Sequence, residues 1–325
     1  MKHLIASGLV FLSLSFATSS LAATLKIAAL APSGTNWAKT LKEFSKEVKK
    51  NTGNRVKVKI YYGGVAGDEP DVLRKVRVGQ LHGGVFTGKT LGDIAGDVRV
   101  VELPFNFYHD RSKGMKALKG MSSYFNQKIS AAGFVNLGFY EIGQVYLVSS
   151  KKASSLSELQ GLKIWSWEGD KIVEAMISSL KLVSVPLALP DVLSSLSTGI
   201  IDAAYAPPLG ILALQWQSQV KYLVDFPTAY SIGALLISNK AWKKIKPDDQ
   251  KIVRELAQKY VAQANDFAVE DNKKGLNALK EQGIEFIKFS EEDISKAEAI
   301  RSEVIGKLKG KEVSKEAIKK LETYR

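Results

Sequence analysis

The 325-residue chain contains no cysteine. That absence excludes disulfides, thiolate-bound metals and a lipid anchor attached to a cysteine. Three histidines, His3, His82 and His109, are too few for a convincing imidazole metal cluster, so neither a metal site nor a cofactor is expected. Past the N-terminus, no apolar run approaches the roughly 20 residues that span a bilayer. A Gly-x-Ser-x-Gly elbow and a Walker-type phosphate loop are both missing, and nothing pairs two carboxylates as acid and base. No catalytic residue is therefore assigned, and the chain does not read as an enzyme. The formal charge is +13, yet the lysines are dispersed beside acidic residues, as in Lys42-Glu43 and Lys46-Glu47. No compact basic block is interleaved with aromatics, so no nucleic-acid partner is expected.

What is present begins with an export signal. Met1-Lys2-His3 is a positive start, Leu4 to Phe16 is apolar, and Ser20-Leu21-Ala22 offers small residues at a cleavage point. Residues 1–22 read as a cleavable leader, which places the mature chain in the periplasm without a lipid anchor. Without disulfides, stability must come from a sizeable core, which about 300 residues can supply.

From Thr24 onward, strand and helix patterns alternate, which predicts an α/β sheet. Val56, Val58 and Ile60 alternate with lysines as a half-buried strand, and Asp68-Glu69-Pro70 opens a helix. Further strands are expected at Gly84–Thr87, Arg99–Leu103, Phe134–Ser149, Leu162–Ser166, Leu182–Val185 and Ile200–Tyr205. Asp170 is placed to cap a helix running to Leu180. After Pro247-Asp248-Asp249 the pattern stays helical to Gln282. At 1.5 Å per residue that helix is roughly 50 Å long, enough to lie across two domains.

The segment Leu162-Lys163-Ile164-Trp165-Ser166-Trp167-Glu168-Gly169-Asp170 is the richest in contact chemistry. A short buried strand runs straight into a helix start, and ligands in α/β sheets bind outside the carboxyl ends of the strands. Two tryptophans there can line a pocket or close a domain interface; the local pattern leaves both open. Glu168 can meet a cationic or hydroxylated head group, or act only on the positive end of the following helix.

Several segments in order carry a family likeness: Gly63-Gly64-Val65-Ala66-Gly67-Asp68-Glu69, Val78-Gly79-Gln80-Leu81, Leu103-Pro104-Phe105, Leu159-Gln160-Gly161-Leu162-Lys163-Ile164 and Leu196-Ser197-Thr198-Gly199-Ile200-Ile201-Asp202. Their order resembles the DctP-type (family 7) solute-binding proteins of tripartite ATP-independent periplasmic (TRAP) transporters. The resemblance implies a two-domain, type II-like periplasmic-binding-protein fold with crossing hinge strands and a long helix spanning both domains. Domain I would be 23–145 plus 231–270, and domain II 146–230 plus 271–325. It further implies capture of a small organic ligand between the domains and delivery to TRAP permease subunits, in some relatives beside a periplasmic helical-repeat protein.

The departures make this a divergent branch. The strand matching Leu162-Lys163-Ile164 would continue with a ligand-gripping arginine, and here that position is Trp165. A second arginine would fall near Gln144 or Val145, an asparagine at Ala206, and an aromatic at Leu189. With those anchors gone, a buried carboxylate would lose its charge-assisted bonds, so the expected ligand is more apolar than the usual carboxylates. Trp165, Trp167, Tyr205, Phe86 and Trp37 are expected to line the cleft, with Pro207, Leu189 and Tyr230 beside them and Gln144 and Tyr146 as polar contacts. Two other classes stay open: an interaction protein without a small ligand, and an enzyme on the same scaffold.

Overall fold

The computed structural model describes residues 22–108 and 110–324. The expected leader, apart from Ala22, and His109 lie outside the described residues. Among those described, no helix is long and apolar enough to cross a membrane, and no group of His, Cys, Asp and Glu could hold a metal ion.

Among the described residues ten strands form one sheet, eight along a path with a change of partners in the middle and two branching from it. They are β1 (Ala23–Ala29), β2 (Val56–Tyr61), β3 (Gly83–Thr87), β4 (Phe134–Ser149), β5 (Lys163–Ser166), β6 (Val183–Pro186), β7 (Ala203–Ala206), β8 (Tyr222–Val224), β9 (Ala229–Ser238) and β10 (Glu285–Ile287). In the first half β1 lies between β2 and β3, all parallel, and β9 runs antiparallel to β3 and β4. In the second half β5 is parallel to β6 and β7, and β7 is antiparallel to β4. The 16-residue β4 belongs to both: Val145 pairs with Ala229 of β9, and Tyr146 pairs with Ala206 of β7. Bulges near Leu137 and Ile142 bend β4 as it crosses.

Each half buries its own core on the two faces of its sheet. Phe44, Val48, Trp242 and Val253 fill one face of the first half, and Phe86, Val100, Phe125 and Ile232 the other. Ile164, Ile177 and Leu182 pack one face of the second, and Trp165, Trp216 and Leu223 the other.

The helix Pro247–Glu281 ties the halves together. Its Val253 and Ala257 sit in the first core, and its Leu279 sits in the second. A Cβ on Gly275 would lie 3.0–3.2 Å from Pro208 and Leu209, so glycine permits the close approach there. Asn272 fastens the crossing: its Nδ2 donates to the Ile142 carbonyl, and its Oδ1 accepts from the Leu209 N–H.

Two expectations change. Residues Gly96–Glu102 form a 3₁₀ helix rather than the strand expected at Arg99–Leu103; the run of valines reads as a strand, but consecutive turns bury Val98, Val100 and Val101 together. The C-terminal residues Val304, Leu308, Val313, Ala317, Ile318 and Leu321 pack into the first half's core, not the second's. Their apolar face meets that core because the helix Glu291–Leu308 crosses back over the junction.

Candidate functional site

Parallel strands place their carboxyl ends on one side of the sheet, and loops leaving those ends converge there. Leu30, Ala31 and Pro32 follow β1, Thr87 ends β3 and Gly88 follows it, Trp167 follows β5, Leu189 follows β6, and Pro207 follows β7. All of them border one cavity of ≈ 230 Å³ between the halves. That is below the roughly 300–1,000 Å³ usual for drug-sized ligands, so the space suits a small occupant.

One wall is aromatic. Trp165 stacks on Tyr205 with ring centroids 4.8 Å apart and lies 5.5 Å from both Trp167 and Trp216. Strand alternation would send Trp165 and Trp167 to opposite faces. The strand ends at Ser166, however, and Trp167, already in the turn that follows, lies on the same wall. Both indoles are buried and fixed by hydrogen bonds. Trp165 Nε1 donates to the Leu187 carbonyl at 3.0 Å, and Trp167 Nε1 donates to Asp68 Oδ2 at 2.7 Å. The Leu189 N–H reaches the same Asp68 oxygen at 3.4 Å, so one carboxylate of the first half holds two segments of the second.

The other notable lining is a buried charge cluster. Arg99 Nε donates to Glu102 at 2.6 Å, and its two terminal nitrogens donate to Asp170 at 2.9 and 3.2 Å. The three side chains are 4–10 % exposed, and the cluster borders the cavity. Asp170 also caps its helix by accepting from the Val173 N–H, and Glu102 accepts from the Ile232 N–H at 2.8 Å. Burial works to discharge the guanidinium, but the two carboxylates outweigh it and hold Arg99 above its ordinary pKa. Burial pushes Glu102 upward against the opposing pull of Arg99. The second cation on the lining, Lys89, is taken by Asp93 at 2.6 Å. Two hydroxyls on the lining, of Tyr205 and Tyr230, are buried without a well-formed hydrogen bond, the first near the Trp167 backbone and the second near the Glu141 carboxyl.

Residues 27–311 match DctP, the bacterial extracellular solute-binding protein family 7. The chain belongs to this family. A solute-binding protein of Verminephrobacter eiseniae is 23% identical over 83% of this chain and 81% of its own length. The C4-dicarboxylate-binding periplasmic protein DctP of Rhodobacter capsulatus is 22% identical over 74% of this chain and 72% of its own. Among solved structures, the sugar acid binding protein of Advenella mimigardefordensis in complex with galactonate superposes with a TM-score of 0.87 at 18% identity, covering 93% of this chain and 98% of that one. A Bordetella pertussis extracytoplasmic solute receptor binding pyroglutamic acid gives 0.86 at 18% identity, covering 94% and 100%. The resemblance read from the sequence is thus confirmed, and with it the two-domain α/β fold.

Against that family frame, the structure brings Trp165, Trp167, Tyr205, Pro207, Trp37, Leu189 and Tyr230 to the cavity. Four expected residues lie elsewhere. Phe86 is fully buried in the first half's core, one residue short of the strand end that does border the cavity. Gln144 spends its amide on the Tyr108 carbonyl at 2.7 Å. Tyr146 points into the second half's core, where burial pushes its hydroxyl up to about 12. Glu168 is exposed at the turn, away from the cavity. Arg99, which the sequence reading did not place at the site, also borders the cavity from another segment. The available signal was Arg99 and Glu102 three apart inside an apolar run, the spacing at which side chains on a helical turn meet. Trp216 was also missed; it follows the helix Pro208–Ala213 and closes the aromatic wall edge-on.

Proposed function

We propose that this family member captures a small, largely apolar organic ligand in the cavity between its two domains and presents it to TRAP-type membrane permease subunits. The domains are taken as 23–145 plus 231–270 and 146–230 plus 271–303, with 304–325 joining the first. Export through a cleaved leader puts the protein in the periplasm, where capture is useful to an importer. Solved relatives of the same fold hold galactonate, pyroglutamic acid and galacturonate. One observation argues for a different cargo here: Arg99, the buried guanidinium on the lining, already holds two carboxylates.

A carboxylate entering this site would find no unspent cation and would still lose its hydration, a desolvation cost of several kcal/mol. An apolar body instead gains about 0.8 kcal/mol per methylene buried against Trp165, Trp167 and Trp37, before association costs. Closure of the domains over the ligand would then distinguish loaded from empty protein for the permease.

Isothermal calorimetry with succinate, galactonate and pyroglutamate tests the reading, alongside mass spectrometry of ligand retained after gentle extraction. No heat from the three acids and a co-purifying apolar compound are expected. Tight succinate binding that disappears in Trp165→Ala would overturn it.

A further inference from the structure

The cavity lining does not share the positive charge of the whole chain. The protein carries +13 overall, yet on the lining Lys89 and Arg99 are matched by Glu102 and Asp170, and Lys89 is further paired with Asp93 outside it. Asp170 and Glu102 are both buried and share one guanidinium, so the formal charge of the cluster is −1. The field at the Tyr205 hydroxyl reflects this balance, since Asp170 acts on it more strongly than Arg99 opposes. Tyr230, 1% exposed, brings a second buried hydroxyl, which lies against the buried carboxyl of Glu141 without a well-formed hydrogen bond.

A buried hydroxyl left unpaired costs free energy that a ligand group can recover. Both phenols can accept a hydrogen bond as well as donate one. The adjoining indole and phenol rings offer faces of negative potential, which attract cations. We propose that the site recognises an amphipathic ligand with a cationic ammonium head, its apolar body on the tryptophan wall and its head between the Tyr205 and Tyr230 hydroxyls and the Arg99–Glu102–Asp170 cluster. The inference rests on the apolar-ligand reading above and adds the class of head group to it. An anionic head is rejected, because a like charge set against the cluster is costly.

The test compares three probes of one chain length, n-octylamine, n-octanol and octanoate, by tryptophan fluorescence and calorimetry on the mature protein at neutral pH. The ammonium should bind tighter than the carboxylate by on the order of tenfold or more, with the alcohol between them. In Asp170→Asn, which keeps a good helix cap while removing one charge, that gap should shrink as the carboxylate gains affinity. Glu102→Gln makes the same change without touching the cap and serves if Asp170→Asn does not fold. Equal or tighter binding of octanoate, or a gap unchanged in both folded variants, overturns the head-group assignment while octanol binding leaves the apolar cavity standing. Failure of all three probes, octanol included, sinks the apolar-ligand reading itself.

Discussion

The aromatic wall and the charge cluster border the same cavity, but the chain assembles them in different ways. Trp165 and Trp167 come from one strand and its turn, and Tyr205 and Trp216 from the next strand-helix unit, so neighbouring elements of one domain make the wall. The cluster joins Arg99 and Glu102 of the first domain to Asp170, 71 residues after Arg99, at a helix start in the second. The wall's ring contacts lie within one domain, with Asp68 of the other holding Trp167 at its edge, whereas the cluster exists only where the domains meet. The cluster therefore ties the two domains together at the cavity, and the wall supplies contact area from one of them.

Removing Arg99 should break this contrast most. Arg99→Gln leaves Glu102 and Asp170 buried without their shared cation, and deletion of one partner of a buried pair typically costs about 3–5 kcal/mol. Chemical denaturation should show that loss. Trp165→Phe, which keeps a stacking ring and gives up only the bond to Leu187, serves as the mild reference from the other wall. If both variants lost equally little, the cluster would be a surface-like pair of no structural weight.

A second carboxyl of the first domain sharpens the comparison, because it has no cation at all. Glu69 is buried and accepts from the Thr87 N–H and hydroxyl at 3.0 Å, beside the strand end that borders the cavity. Burial dominates those bonds and pushes its pKa up to about 7 from an ordinary 4.5. The folded protein thus keeps a proton that the unfolded chain releases between these values. That contribution to stability is complete below pH 4.5 and is lost as pH rises through 7, amounting to about 3 kcal/mol at most. In Glu69→Gln the fall in denaturation midpoint between pH 5 and pH 8 should flatten. Identical pH slopes in the two proteins would show that Glu69 titrates normally.

How much of this was legible in the sequence follows from the same contrast. The alternating β/α order, the cap at Asp170 and the position of Trp165 are local, and periodicity or spacing exposes them. The family likeness added the two-domain frame and turned Trp165 from an aromatic into a site candidate. The pairing of Arg99 with Asp170 was not legible, because it joins residues 71 apart in the chain from two domains. The segment of Arg99 was read as a strand, which hides the i, i+3 relation to Glu102. Phe86 and Thr87 show the finer limit: one residue along β3 separates a core side chain from a cavity neighbour, and pattern reading does not place a strand end that finely.

Glu168 offers the smallest effect and the cleanest check on which carboxylates belong to the site. It neighbours Trp167 in sequence and reads as a head-group contact, but its side chain is exposed at the turn, two residues from the cap Asp170. The helix begins only at Lys171, so Glu168 stands outside the first turn, where a carboxylate would feel the helix dipole most. Glu168→Ala should change stability by no more than about 0.5 kcal/mol, the usual range for an exposed position. It should also leave the order of ammonium over carboxylate probes intact, while Asp170→Asn two positions away compresses it. A Glu168→Ala protein that lost that order would move the head-group contact from the buried cluster to the turn.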